Sequence, residues 1–126
     1  MGALTEKPGR VKRLLHRLSA DTDVLAAEEL QKDCAQLGAT AISDCATGTT
    51  VRVAGTLRTV TLRPRGGVPA LEAELYDGSG IVELVWLGRR RIAGVEPGVQ
   101  LIARGRLTMF DGKQTIFNPL YDLLPD

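Results

Sequence analysis

Two long stretches rich in Val, Thr and Leu, residues 50–62 and 99–110, each carry one internal glycine, Gly55 and Gly105. β-Branched residues favour extended backbone, and a glycine inside such a run marks a bulge or a tight bend. A long strand that bends midway can pair with different neighbours along its two halves. Two such strands in one chain allow a small sheet to curl and close on itself. Three further strands accompany them. Residues 70–76 alternate strictly, with Leu71, Ala73 and Leu75 against Glu72, Glu74 and Tyr76, and Asp77-Gly78-Ser79-Gly80 signals a tight hairpin into residues 81–87. Asp111-Gly112-Lys113 turns the chain into a last strand over residues 114–124, whose Pro119 predicts an edge position or a bulge. Residues 63–69, Arg63-Pro64-Arg65-Gly66-Gly67-Val68-Pro69, read as a flexible loop, and residues 88–94 as a short basic link with room for one helical turn.

Five strands in about 75 residues, the first and fourth long and kinked, with an irregular link between the third and fourth, predict a mainly β protein built on a five-stranded OB-fold Greek-key barrel. A five-stranded SH3-like barrel is the alternative, with shorter strands than these. Before residue 48 the texture is helical. Val11, Leu14, Leu15 and Leu18 follow helical spacing, as do Ala27, Leu30, Cys34 and Leu37, with Ser19-Ala20-Asp21-Thr22 as a break and Gly38 as a C-terminal cap. The expected organisation is an N-terminal helical arm over residues 1–48, with helices near 9–19 and 23–37, followed by a barrel over residues 49–126.

Charge and chemistry narrow the function. The chain carries 16 basic and 15 acidic residues, and the balance stays close on either side of residue 48. That excludes histone-like binding through an overwhelming positive field. Five aromatic residues, Tyr76, Trp86, Phe110, Phe117 and Tyr121, are too few for a platform of many stacked rings. Cys34, Cys45 and the single histidine, His16, do not complete a four-ligand zinc site. One histidine also leaves no Ser-His-Asp or Cys-His arrangement to argue from spacing. The expectation is a protein without catalytic residues, metal or cofactor. The polar first ten residues lack the apolar core of a signal peptide, and no apolar run approaches membrane-span length, so the expected location is cytoplasmic, with no membrane partner.

Strand parity assigns the surfaces. With Leu71, Ala73 and Leu75 inward, Glu72, Glu74 and Tyr76 face out. On the next strand Val82, Leu84 and Trp86 suit the interior, leaving Ile81, Glu83, Val85 and Leu87 outside. Three glutamates then occupy the face on which an OB-fold usually binds strands, where they oppose phosphates. The arginines sit elsewhere. Arg52 and Arg58 share one parity on the first strand, Arg104 and Arg106 one on the fourth, and together they form a basic stripe or else pair with the glutamates across the sheet. Arg63 and Arg65 lie in the first loop, and Arg89, Arg90 and Arg91 follow the third strand. Phe110, at the last hairpin beside Lys113, either stacks on a base or packs on Phe117 or Leu107. Tyr76 is a second stacking candidate. Trp86 belongs to the core, and Tyr121 closes the barrel end.

Val51-Arg52-Val53-Ala54-Gly55 and Leu71-Glu72-Ala73-Glu74-Leu75-Tyr76-Asp77-Gly78-Ser79-Gly80 resemble nucleic-acid-binding OB-folds, among them the anticodon-binding domains of class II aminoacyl-tRNA synthetases. The second half, through Glu96-Pro97-Gly98, Gly105-Arg106-Leu107, Phe110-Asp111-Gly112-Lys113-Gln114 and Asn118-Pro119-Leu120-Tyr121, resembles the wedge domain of the branch-migrating helicase RecG, with Asn118 where that pattern commonly has His. Thr56-Leu57-Arg58-Thr59-Val60-Thr61-Leu62-Arg63-Pro64-Arg65 and Val85-Trp86-Leu87-Gly88-Arg89-Arg90 are similar to a family of small stand-alone actinobacterial OB-fold proteins. No phosphate-loop motif is present, since Lys113 is followed by Gln114, so the resemblance implies the binding module without the motor. The expected function is non-enzymatic binding of nucleic acid, single-stranded or structured DNA before RNA. Its expected contacts are Arg58, Arg63, Arg65, Arg89, Arg90, Arg104, Arg106, Lys113, Phe110 and Tyr76. The alternative is a protein-interaction module that uses the helical arm and the sheet face, with Ile81, Val85 and Leu87 as its apolar patch, to contact another protein or a second copy of itself.

Overall fold

The computed structural model describes the backbone of residues 8–125 and the side chains of residues 22–125. One helix, α1 (Pro8–Gln36), precedes the barrel. It runs unbroken through residues 19–22, where two separate helices were expected to meet. Ser, Asp and Thr are only mildly unfavourable inside a helix, and neither Pro nor Gly interrupts residues 10–37. The apolar spacing of Val11 to Leu18 and the position of His16 lie outside the described side chains. Gly38 (φ 76°) does end the helical stretch in the left-handed conformation that glycine alone adopts freely.

Six strands follow: β1 (Thr50–Arg65), β2 (Val68–Tyr76), β3 (Ile81–Leu87), β4 (Gln100–Phe110), β5 (Lys113–Phe117) and β6 (Leu120–Leu123). Their order is β1-β2-β3-β5-β4-β6, and β1 also pairs with β4, which closes the ring. The molecule is an OB-fold barrel with an N-terminal helix. All pairings are antiparallel except β3 with β5. β1 serves both halves of the sheet as its length and glycine predict: Thr50–Thr56 pairs with β4, and Thr56–Arg65 pairs with β2. At the changeover, a side chain on Gly55 would collide with the Tyr76 carbonyl, so only glycine lets β1 cross the end of β2 so closely. Gly105 likewise leaves room for Ile116 of β5.

The last expected strand is divided. Asn118, at φ 50°, breaks β5 from β6, donates its backbone N–H to Val85 O at 2.6 Å and accepts the Leu87 N–H on Oδ1 at 2.9 Å. Pro119 lies in the gap, free of any need to donate to a ladder. Residues 63–69 are not a loose loop. Gly66 and Gly67 (φ 58° and 80°) make a two-residue turn that sets Arg65 opposite Val68, so Arg63, Pro64 and Arg65 belong to β1. The pairs flanking such a turn are hydrogen-bonded, which puts the Pro64–Pro69 pair at a position where the ladder requires neither N–H.

Inward-facing Leu57, Leu71, Leu75, Val82, Leu84, Leu101, Leu107 and Ile116 fill the barrel. Trp86 belongs to this core as its parity predicts: its indole N–H donates to Pro119 O at 3.2 Å, and the edge-on ring of Tyr121 closes that end at 5.6 Å. A second, smaller cluster lies outside the ring. Ala54 and Ile102, opposite each other on β1 and β4, pack with Cys34 and Leu30 of α1 and with Ala39 and Leu124. Burial pushes the Cys34 thiol up to about 11, with the negative charges of Asp77 and Asp33 adding to the effect. Gly78, at the β2–β3 hairpin, sits against the Ala27 carbonyl of α1. Asp77, 1% exposed, organises that hairpin. One carboxylate oxygen accepts the Ser79 N–H, the Ser79 hydroxyl and the Gly80 N–H, and the other accepts the Ile42 N–H at 2.8 Å.

Candidate nucleic-acid interface

The outer face of β2 and β3 carries the glutamates that parity assigns to it. Thr59 stands opposite Glu74, Thr61 opposite Glu72, and Glu74 opposite Glu83. Together with Arg63 and Lys113 they line a depression of about 210 Å³. A bulge between Leu57 and Thr59 makes this possible. It inserts Arg58 as an unpaired residue and reverses the parity of β1 beyond it. Burial raises the pKa of Glu83; Lys113 opposes the shift, while Glu74 and Glu72 add to it. The Lys113 ammonium is 3.8 Å from Glu83 and mostly exposed, a contact that solvent weakens.

Both rims of the face are ordered by arginine. Arg65, on the β1–β2 hairpin, donates from Nε to Glu72 Oε2 at 2.6 Å, and its guanidinium lies 4.9 Å from the centre of the Phe110 ring. Phe110 meets Phe117 edge-on at 5.4 Å. The β1–β2 hairpin and the β4–β5 turn, which flank the ligand in an OB-fold, are thereby clasped together through one side chain. Arg65 donates to Glu72 from Nε alone, so its terminal N–H groups form no hydrogen bond among the described residues. At the other rim, Arg58 lies 3.8 Å over the Tyr76 ring. The cation–π contribution of each pair is about 0.5–1 kcal/mol at such exposure.

Arg58 therefore does not join Arg104 and Arg106 in a stripe; the bulge sends it to Tyr76. The remainder of the stripe is present. Arg52 and Arg104 are direct partners across β1 and β4, and Arg106 faces Thr50 two residues further along β4. Arg52 reaches the end of α1, donating from Nη2 to Leu37 O at 3.4 Å. These arginines border a groove of about 470 Å³ whose other side includes Phe117, Asn118 and Leu120. Phe117 and Leu120 were not among the expected site residues. The signal was the Asn118-Pro119 break, which turns Leu120 outward beside Arg104, and that break is visible only as a proline within a run.

The expected apolar patch on β3 is corrected. Val85 points away from the barrel yet is 1% exposed. It lies between Glu72 and Phe117 in the ladder, among the side chains that Arg65 and Phe110 draw together. Ile81 and Leu87 remain exposed at the two ends of the strand. Arg89, Arg90 and Arg91 are exposed on an irregular link without a helical turn, beyond Gly88, whose N–H is bound by Pro69 O at 2.7 Å. Among the described residues, no cluster of three or more His, Cys, Asp or Glu is arranged to hold a metal ion, and no helix is long and apolar enough to cross a membrane.

Scanned against protein-family models the chain matches none, and no curated protein matches it. Seven solved chains do match. One is RecG bound to a three-way DNA junction, with a TM-score of 0.57 and 21% identity over 69% of this chain, which spans 12% of the RecG chain. Another belongs to a Replication Protein A heterotrimer bound to ssDNA, with a TM-score of 0.49 and 15% identity, covering 71% of this chain and 75% of that one. The likeness to the RecG chain is one of fold, the OB barrel.

Proposed function

We propose that this OB-fold protein binds nucleic acid without catalysing a reaction, and that it favours single-stranded or structured DNA over RNA. The supporting observation is where its unpaired cations lie. Among the described residues, Arg52, Arg63, Arg89, Arg90, Arg91, Arg104 and Arg106 have no carboxylate within ion-pair distance. All of these but Arg52 are exposed. A chain with a formal charge of only +1 thus keeps local concentrations of positive charge that phosphates can neutralise.

Arg63, bordering the acidic depression, and Arg89 and Arg90, on the link after β3, contact phosphates, with the terminal N–H groups of Arg65 adding to them. Glu72, Glu74 and Glu83 keep phosphates off the centre, where Glu74 and Glu83 accept hydrogen bonds from the exposed amino groups of unpaired bases. Phe110 and Tyr76, each already carrying a guanidinium, offer stacking surfaces at the two rims. The preference for DNA rests on the resemblance to the RecG wedge. The hallmark stretches at residues 56–65 and 85–90 support membership of the small stand-alone actinobacterial OB-fold family. A cytoplasmic location follows from the same reading.

Binding of labelled single-stranded DNA and RNA, measured side by side across a salt series, tests this. The expected result is tighter binding of DNA, falling with salt at a log–log slope of about −0.7 per phosphate contacted. Arg63→Ala/Arg89→Ala/Arg90→Ala should weaken binding and flatten that slope. Absence of binding at low salt overturns the reading, and tighter binding of RNA overturns the DNA preference.

A further inference from the structure

We infer that the groove across β1, β4 and β6 is a second strand-binding surface, one that takes the backbone of a single-stranded segment along Arg52, Arg104 and Arg106. The inference rests on the nucleic-acid reading above and adds a face to it, away from the usual β2–β3 surface.

The first support is electrostatic. Arg52 and Arg104 are paired directly across the ladder, the position at which like charges repel most on a sheet. Arg106 follows on the same face of β4, about 7 Å further along the strand. None of the three has a carboxylate within ion-pair distance among the described residues. Asp122, the carboxylate of β6, stands opposite Ile102 rather than Arg104 and forms no ion pair. Arg52 is steadied by the carbonyl of Leu37 at the C-terminus of α1, where the helix dipole favours a cation. The free protein thus carries three arginines on neighbouring positions of one face with no carboxylate paired to them, and a chain of phosphates supplies the missing negative charge.

The second support is the opposite side of the groove. Phe117 is half-buried there, and Leu120 is 65% exposed, the most exposed large apolar side chain among the described residues. A duplex offers this wall only more phosphate. A single strand lays its backbone on the arginines and turns base faces toward Phe117 and Leu120, covering apolar surface that otherwise meets water. Polyglutamate satisfies the arginines but brings no aromatic ring to that wall.

The test compares labelled oligothymidine, a duplex of equal length and polyglutamate, using wild-type protein, Arg104→Ala/Arg106→Ala, Leu120→Ser and the rim variant Arg63→Ala/Arg89→Ala/Arg90→Ala. The groove double variant should weaken oligothymidine binding and flatten its salt slope by about 1.4, or 0.7 for each of two phosphate contacts. Its melting temperature should be unchanged or higher, since a like-charge pair is removed. Leu120→Ser should weaken oligothymidine and leave the duplex unaffected. If the rim variant loses binding while the groove variant matches wild type, the groove is overturned and the nucleic-acid reading stands. If wild type binds no oligonucleotide, both fall. A lower melting temperature in the groove variant assigns the arginines to structure, and polyglutamate binding as tight as oligothymidine makes the surface a peptide site; either result overturns the inference.

Discussion

Glu83 shows how one side chain records its surroundings. Burial disfavours its charge, and Glu74 and Glu72 disfavour it further, while Lys113 compensates only in part. Its folded-state pKa is therefore raised. As pH rises past the ordinary carboxylate range, the unfolded chain releases this proton first, and stability falls until Glu83 ionises in the folded state as well. Above that window the penalty stays constant. Glu83→Gln should accordingly be more stable than wild type near pH 7, and the two proteins should converge near pH 4. Thermal melts across that range check this, and a difference independent of pH contradicts it. Alternation along 70–76 and 81–87 was enough to place Glu83 on the outer face with Glu72 and Glu74. Its electrostatic surroundings were not legible: Lys113 comes within 3.8 Å only after β5 pairs with β3, and Arg63 borders the same depression, without an ion pair, only after the bulge at Arg58 reverses β1.

Among elements, β1 depends most on a single position. Gly55 lies where the strand leaves β4 for β2, and a side chain there would come within 2.8 Å of the Tyr76 carbonyl carbon and 3.3 Å of the Asp77 nitrogen. The obstruction is backbone and cannot rotate away. Gly55→Ala should cost about 1–3 kcal/mol, as overpacking typically does, lowering the melting temperature by roughly 4–8 °C per kcal/mol for a barrel of this size. Denaturant unfolding measures it; an undisturbed midpoint would mean that β1 can cross β2 elsewhere. The roles of Gly55 and Gly105 were readable because glycine weakens a β-branched run unless a bend or a close approach requires it. The continuity of α1 was not, since Ser19, Asp21 and Thr22 cap helices and also tolerate their interiors. Residues 63–69 looked loose for a related reason: glycine and proline mark turns, but only the register shows that Gly66 and Gly67 complete a two-residue hairpin.

For the molecule as a whole, composition was the least informative guide. A formal charge of +1 describes neither the acidic centre of the β2–β3 face nor the arginine groove beside β6. Fold class was legible because strand count, strand length and glycine placement jointly constrain how a small sheet can close. The site was legible only in outline. Arg58, Arg65, Lys113, Phe110 and Tyr76 were each expected to contact ligand, and the structure engages each of them with another side chain of the same face. Such pairing depends on the bulge and on the hairpin that carries Arg65 back toward Phe110, both tertiary features that local sequence does not encode.

The facing prolines of the β1–β2 hairpin bear on solubility. Beyond Leu57, whose N–H and carbonyl still bond Val99 O and the Gly98 N–H, β1 presents an open edge, with Leu62 exposed on it and Val68 exposed across the hairpin. Edges of this kind recruit strands from other molecules. At a non-hydrogen-bonded pair the N–H points away from the partner strand, so Pro64 removes a donor from the open edge nearest the hairpin tip. The ring acts as a gatekeeper against intermolecular sheet growth. Pro64→Val should leave the melting temperature within a few degrees of wild type while shortening the lag before turbidity appears in concentrated solution. An unchanged lag would place the protection in the charged side chains at the tip instead.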